Sequence, residues 1–184
     1  MVDYKKEVIF NAALYVANKL PKEQCRLHKV FKILWFADME HLKKHGRSIT
    51  GAKYSALPYG PVPSVLYDEV KFKNSIFERY DVGVERGFLT PLKAANEFYL
   101  SETDKAELDA AIEKYKDKSF EELIDLSHKS AYNSTEPNKE ISLEAILEEI
   151  EAPEELRNYI RENSLYSCQG AGLRRSKALP KEVL

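Results

Sequence analysis

A carboxylate lies within the apolar stripe of a predicted helix. The pattern of apolar residues predicts a helix over residues 23–45, and Asp38 falls between Leu34 and Leu42 when successive residues are placed about 100° apart. Because burying an unpaired carboxylate costs several kcal/mol, Asp38 must accept hydrogen bonds or meet a cation. The sequence therefore predicts a buried polar site on this helix.

Two histidines follow Asp38 on the same side of the helix, and three kinds of site fit this arrangement. His41 and His45 come three and seven positions later. In a structural network, Asp38 holds a histidine or the amides at the start of the next predicted helix, at Gly60–Pro61. A metal site would need further donors, whereas an enzyme would use Asp38 and His41 as acid and base. We favour the structural network, because buried polar groups are usually satisfied within the protein.

Other residues that could carry chemistry give weaker signals. His128 falls at the end of another predicted helix and is typical of a C-terminal cap, so we group it with Asp38 and His41 as structural polar residues. Cys25 lies near His28, and a thiol enzyme built on this pair is a minor alternative. The sequence contains no nucleophile elbow, phosphate-binding loop, dinucleotide fingerprint or zinc-protease motif. We therefore predict no enzymatic activity, no metal and no cofactor.

Aromatic residues gather around a segment rich in proline. Tyr54, Tyr59 and Tyr67 flank the sequence Gly60-Pro61-Val62-Pro63, and the chain has 11 tyrosines. Tyrosine offers a large contact area at low cost in conformational entropy, and proline keeps a loop ordered before binding. The segment is therefore suited to contact a protein partner. The rings fit equally well as walls of the core with their hydroxyls in water.

The elements that must position these residues follow from apolar periodicity, caps and prolines. Gly46 predicts the end of the central helix, and residues 49–59 are typical of a short strand or extended loop. A small hairpin is predicted over residues 85–100, with strands at 87–90 and 98–100. Further helices are predicted over residues 3–20 and 61–72, and after Ser101, Ser119, Ser142 and Pro153. The predicted fold class is mainly α, a single helical domain with a small antiparallel β element.

Composition excludes several classes of protein. Apolar residues make up 43% and charged residues 32% of the 184 residues, and the mean hydropathy is −0.48, which indicates a globular chain. No apolar run approaches the roughly 20 residues of a membrane helix, and the N-terminal residues lack the apolar stretch of a signal peptide. We therefore expect a cytoplasmic protein with Cys25 and Cys168 as free thiols.

Charge is distributed unevenly along the chain. The net charge is −2, residues 1–50 are mildly basic, and residues 101–162 are strongly acidic. No predicted helix carries the clustered basic and base-reading side chains that a DNA groove requires, so nucleic-acid binding is a minor alternative. The acidic segment is typical of solvated helix faces, and a surface for a basic partner is the alternative.

Three stretches of the sequence together resemble one known family. They are residues 27–38 together with 40–42, residues 46–51 and residues 59–67, which contain Phe-Ala-Asp, Ile-Thr-Gly and Tyr-Gly-Pro-Val-Pro. The chain is similar in these stretches to the Panacea domain family, also described as SocA-like or as phage-associated GepA-type proteins. The resemblance extends over about residues 5–150. Residues 126–132 resemble a later element of the family, which often has tryptophan where this chain ends the stretch with tyrosine.

The resemblance implies an antitoxin of a bacterial or phage toxin–antitoxin system, which neutralises a cognate toxin by direct protein–protein binding. One alternative is an adaptor that delivers a toxin to a AAA+ protease, and another is an enzyme that uses Asp38 and His41. The antitoxin domain would span residues 1–150, and residues 151–184 would add a helix and a polar C-terminal tail. Whether the chain forms a homo-oligomer stays open.

The residues expected to serve toxin binding fall into two groups. We predict that Asp38 and His41 fix the proline-rich segment from inside, as the helical wheel suggests. Aromatic and rigid residues would shape or support the toxin-facing surface itself. The members of this second group are Trp35, Tyr54, Tyr59, Gly60, Pro61, Val62 and Pro63.

Overall fold

The computed structural model describes residues 4–72 and 82–167. Within these residues the helices are α1 Tyr4–Lys19, α2 Leu27–His45, α3 Ser64–Phe72, α4 Glu102–Tyr115, α5 Phe120–Ser127, α6 Ser130–Asn133, α7 Leu143–Glu149 and α8 Glu154–Ser167. Two antiparallel hairpins are formed by β1 Tyr54–Leu57 with β2 Gly60–Pro63 and by β3 Val82–Glu85 with β4 Phe88–Pro91. The predicted fold class, mainly α with a small antiparallel β component, is confirmed.

Helix α2 forms the centre of the core. Every residue from Val30 to Met39 is buried, and the helix packs most extensively against α4 and also against α1, α5 and the β1–β2 hairpin. It ends where the sequence predicts, because Gly46 adopts the left-handed conformation with φ of 67° and its amide donates to Leu42 O. The helix begins later than predicted, at Leu27, because Lys22–Gln24 forms a separate 3₁₀ turn.

The β1–β2 hairpin lies against α2 and closes through the two-residue turn Pro58-Tyr59. The other edge of β1 is also paired. The amide of Ala56 donates to Lys139 O, and the amide of Ile141 donates to Tyr54 O. The short strand is therefore held on both sides, which fixes the direction in which its turn points.

The prediction that helix three starts at Pro61 is wrong. Residues Gly60–Pro63 form β2, and α3 begins at Ser64. A proline can occupy the first turn of a helix, but it also disfavours helical backbone in the residue before it. Here Pro63 keeps Val62 extended, so a helix cannot start at Pro61 and continue. All residues of β2 are buried.

The prolines are compatible with β2 because of their register. Pro61 lies opposite Ala56, and Pro63 lies opposite Tyr54. In a hairpin closed by a two-residue turn, these alternate positions do not exchange hydrogen bonds with the partner strand. The missing amide hydrogens therefore remove no bond between β1 and β2.

The strand predicted at 87–90 is present as β4, but its predicted partner at 98–100 is wrong, because β4 pairs with a strand that precedes it. The strands of this second hairpin are β3 and β4, and its turn is Arg86-Gly87, with φ of 51° and 81°. Positive φ at both turn residues is typical of the tightest hairpins. Residues Glu97–Tyr99 form a 3₁₀ turn instead, because side chains of α1 hydrogen-bond the loop before it.

The predicted serine caps are confirmed. Ser101 and Ser119 form capping boxes with Asp104 and Glu122, and the side chain of Ser142 accepts the amide of Ala145. Helix α8 follows Pro153, as predicted, and reaches Ser167. The four-residue helix α6 was not predicted.

Some predictions concern residues that the structure does not describe. Cys25 is a buried free thiol, whereas Cys168 and the predicted polar tail lie outside the described residues. In the described parts of the chain, no helix is both long and apolar enough to cross a bilayer.

Candidate functional site

Asp38 is buried, as predicted, and its carboxylate accepts four hydrogen bonds. The amides of Ile49 and Thr50 donate to Oδ1 at 2.8 and 2.9 Å. The hydroxyls of Thr50 and Tyr54 donate to Oδ2 at 2.5 and 2.8 Å. The partners are therefore residues of the loop after α2 and of β1, and not the histidines or the amides of the helix that was predicted to begin at Gly60–Pro61.

Burial and hydrogen bonding act on Asp38 in opposite directions. Burial raises the pKa of Asp38 above its ordinary value, and the bonds from Thr50, Tyr54 and Ile49 oppose this rise. Burial and the nearby carboxylate also raise the pKa of Tyr54, which keeps this hydroxyl protonated as a donor. The network is self-contained, because each oxygen of the carboxylate has two donors.

His41 belongs to a second polar cluster at the same end of α2. Its Nδ1 donates to Arg47 O at 2.8 Å, and its Nε2 lies 3.1 Å from both Thr103 Oγ1 and Asp104 Oδ1. Arg47 also pairs with Asp104 at 2.8 Å. Burial would raise the pKa of Asp104, but the contact with His41 and the charge of Arg47 lower it to about 2.

The two clusters hold one loop from two points. His41 binds the carbonyl of Arg47, and Asp38 binds the amides of Ile49 and Thr50. Asp38 also reaches Tyr54 at the start of β1. The loop after α2 is therefore fixed in place, and it delivers β1 to the side of α2.

The far end of the hairpin is fixed by a buried lysine. Lys32 of α2 is 0% exposed, and its Nζ donates to Pro61 O at 2.9 Å. Gly60 has φ of 95°, and a Cβ atom there would lie 2.5 Å from Ser127 Oγ and 2.8 Å from Lys32 Nζ. Both the backbone conformation and the close packing require glycine at this position.

Three rings form an aromatic surface at the turn: Tyr59 of the hairpin, Phe120 of α5 and His28 of α2. The rings of Tyr59 and Phe120 are 5.4 Å apart, and those of Phe120 and His28 are 4.3 Å apart. His28 Nε2 donates to Tyr59 O at 3.3 Å. Tyr59 is 61% exposed and Phe120 is 41% exposed, although both are large and largely apolar.

His128 lies near this aromatic surface and not near Asp38. It caps α5, and its ring stacks on Tyr132 with centroids 4.0 Å apart. The hydroxyl of Tyr132 donates to Leu57 O, next to the turn. Burial and the charge of Lys32 lower the pKa of His128. His128 therefore helps to support the hairpin from the side of α5.

The residues predicted to shape or support a toxin-facing surface occupy different depths. Trp35 is 1% exposed and packs edge-on against Tyr54 with ring centroids 4.9 Å apart. The segment Gly60–Pro63 is buried as well. Among the residues of this group, only Tyr59 presents most of its side chain to solvent. The others can act on a partner only by positioning the turn.

Lys32 was missed by sequence reasoning, although a signal is present. It is the single charged residue in the sequence between Val30 and Ala37, and a helix that is apolar on all other sides must bury it. Burial lowers the pKa of Lys32 to about 7. Phe120 was missed for a different reason, because its contact with the turn depends on the packing of α5.

The described residues give little support to catalysis or metal binding. They contain no group of three histidine, cysteine, aspartate or glutamate side chains that could hold a metal ion. Asp38 and His41 lie in separate clusters and are occupied by structural partners. Burial raises the pKa of the Cys25 thiol to about 11 and lowers the pKa of His28 to about 4, which is the opposite of what a thiolate–imidazolium pair needs.

Fold and site together define a class of protein: a mainly helical domain whose buried polar residues position a surface turn. The family model described as antitoxin SocA-like, Panacea domain matches residues 30–132, which is more than half of the chain. The chain therefore belongs to the SocA-like antitoxin family, as the sequence resemblance predicted. The matched region contains α2 from Val30 onward, the β1–β2 hairpin and α5. No curated protein and no solved structure matches the chain.

Proposed function

We propose that this protein is the antitoxin of a toxin–antitoxin system and neutralises its toxin by direct binding in the cytoplasm. Membership of an antitoxin family implies a toxin partner in general terms and favours a role without catalysis. The polar clusters support this proposal, because they are occupied in holding the loop and the hairpin.

The observation that carries the proposal is the exposed ring of Tyr59 on a turn that is fixed from beneath. Asp38 holds the base of the hairpin at Tyr54, His41 holds the loop that precedes it, and Lys32 holds its far end. An exposed aromatic residue on a rigid support is typical of the centre of a protein interface, since binding then costs little conformational entropy. We therefore propose that the turn at Tyr59 contacts the toxin.

The test is coexpression with the product of the neighbouring gene, with growth rescue and copurification as readouts. Tyr59→Ala should weaken copurification and rescue. Phe98→Ala is the matched control, because Phe98 is 81% exposed on a 3₁₀ turn that packs against α1. Equal loss in both variants, or no loss in either, would contradict a contact at the turn. A wild-type chain that neither rescues growth nor copurifies would contradict the antitoxin assignment.

The same experiment separates binding from targeted degradation. If the chain acts by occlusion, the toxin persists in rescued cells as a stable complex. If the chain is an adaptor for a AAA+ protease, the toxin level falls in rescued cells and recovers in a strain that lacks the protease. An immunoblot of the toxin therefore decides between the two mechanisms. The native mass of the purified chain shows whether it forms a homo-oligomer.

A further inference from the structure

The buried cation of Lys32 has no anionic partner in the described residues. The ammonium group carries three donors, and its hydrogen bond is to a neutral carbonyl, Pro61 O. No ion pair within residues 4–72 and 82–167 includes Lys32. A buried charge of this kind is unusual, because buried lysines are normally paired.

A second buried polar atom close to Lys32 is also without a partner in the part of the chain that the structure describes. His128 Nε2 is buried and has no hydrogen-bond partner among the described residues. The charge of Lys32 contributes to lowering the pKa of both His28 and His128, after the larger effect of burial. The negative charge of Asp125 acts in the opposite direction and raises the pKa of His128. Polar groups of α2 and α5 therefore surround Lys32, and no ion pair among the described residues supplies it with an anion.

The aromatic surface lies around this position. Gly60, whose missing side chain leaves room for Lys32 Nζ, directly follows Tyr59 in the chain. His28 is one helical turn before Lys32, and Phe120 contacts both His28 and Tyr59. A partner side chain that inserts between the rings of Tyr59, Phe120 and His28 would reach Lys32 Nζ. The rings around it would then exclude water from its contact with the ammonium group.

We propose that the aromatic surface receives an acidic segment of the toxin, in which a carboxylate next to an apolar side chain enters beneath Tyr59 and pairs with Lys32. This inference rests on the proposed function, since it takes the partner to be a protein. A hydrogen-bonded ion pair shielded from water is strong when both groups are aligned. The apolar neighbour in the segment packs on the rings of Tyr59 and Phe120.

Only protonated Lys32 can form an ion pair with a carboxylate, so the affinity for the acidic segment depends on pH. In the free protein burial holds the pKa of Lys32 at about 7, and a bound carboxylate raises it. Binding therefore takes up a proton above about pH 7, and the affinity falls as the pH rises further. Other titratable groups around the surface are His28, His128, Asp125 and Tyr59. Both histidines stay neutral above pH 7, because burial lowers the pKa of each.

The test uses a random-peptide phage library selected on the immobilised full-length protein. We expect enriched peptides to carry Asp or Glu beside an aromatic or aliphatic residue. They should bind the wild-type protein at least about tenfold more tightly than Lys32→Met at pH 7, and their affinity for the wild-type protein should decrease toward pH 9. The matched control is Lys29→Met, because Lys29 lies on the same helix and also donates to a backbone carbonyl, that of Lys116.

A second variant guards against misfolding of Lys32→Met. Tyr59→Ala changes a side chain that is 61% exposed, so it leaves the core intact and should also weaken peptide binding. Enriched peptides without acidic residues, or equal affinity for the wild-type protein and Lys32→Met, would overturn the proposal. Failure of the selection to enrich any peptide would overturn it too. The antitoxin assignment would still stand on growth rescue, which does not involve the peptides.

Discussion

Substitution of Asp38 tests whether its network holds the loop after α2. In Asp38→Ala the hydroxyls of Thr50 and Tyr54 can turn toward other acceptors, but the amides of Ile49 and Thr50 cannot. A buried donor left without a partner costs about 1–3 kcal/mol, so two amides cost about 2–6 kcal/mol. Folded domains have about 5–15 kcal/mol of stability in total, so the loss would be large.

Asp38→Asn should be milder, because its carbonyl oxygen can still accept from both amides. We expect a loss of about 1–2 kcal/mol for this variant. The assay is urea unfolding followed by circular dichroism, together with hydrogen exchange of the Ile49 and Thr50 amides, which should become fast only in the alanine variant. Glu140→Ala is the control, since its pair with Lys53 is exposed and should change stability by less than about 1 kcal/mol.

The result that would refute this reasoning is specific. If Asp38→Ala unfolds within about 1 kcal/mol of the wild-type protein, the four hydrogen bonds do not stabilise the loop. If stability falls but exchange at Ile49 and Thr50 is unchanged, the loss comes from somewhere other than the loop. Either result would also remove the structural basis for a rigid turn at Tyr59.

Three further predictions concern the same region. In urea unfolding, Gly60→Ala should lose at least about 2 kcal/mol more stability than Gly51→Ala. Both glycines have positive φ, but only Gly60 lacks space for a Cβ atom. Equal losses in the two variants would contradict this. Since burial lowers the pKa of Lys32 from 10.5 to about 7, the unfolded chain takes up a proton first as the pH falls. As the pH is lowered from 10.5 to about 7, the free energy of unfolding of the wild-type protein should therefore fall relative to that of Lys32→Met, by up to about 1.4 kcal/mol per pH unit. Parallel pH profiles of the two proteins would contradict this. Because the pKa of Asp104 is lowered from 3.8 to about 2, the wild-type protein should lose stability as the pH falls from 3.8 to 2. Asp104→Asn should not show this loss in acid unfolding. Identical acid unfolding of the two proteins would contradict the pairing of Asp104 with His41 and Arg47.

The helical wheel was sufficient to predict that Asp38 is buried but not what it binds. Position on a helix depends on a period of 3.6 residues, which the sequence displays directly. The partners Thr50 and Tyr54 lie 12 and 16 residues further along the chain, in a bend and a strand. The helical period of α2 therefore does not predict their positions. The Ile-Thr-Gly sequence was recognised through the family resemblance. That its first two amides donate hydrogen bonds to Asp38 was seen only in the structure.

The proline-rich segment shows why a correct local rule led to a wrong element. Pro61 satisfies the preference for proline in the first turn of a helix. Pro63 restricts Val62 to extended backbone, and pairing with β1 then makes the segment a strand. Tyr59 is exposed because it lies in the turn of this hairpin. Since the hairpin was not predicted, the sequence did not show which of the predicted site residues are exposed and which are buried.

Site-specific photocrosslinking from position 59 tests the central claim most directly. A photoreactive phenylalanine analogue replaces Tyr59 in one protein and Phe98 in another, and each is irradiated in complex with the toxin that the wild-type protein neutralises. We expect a covalent antitoxin–toxin product from position 59 and none from position 98. Crosslinking from position 98 alone, or from neither position in a complex that still copurifies, would contradict a toxin contact at the turn.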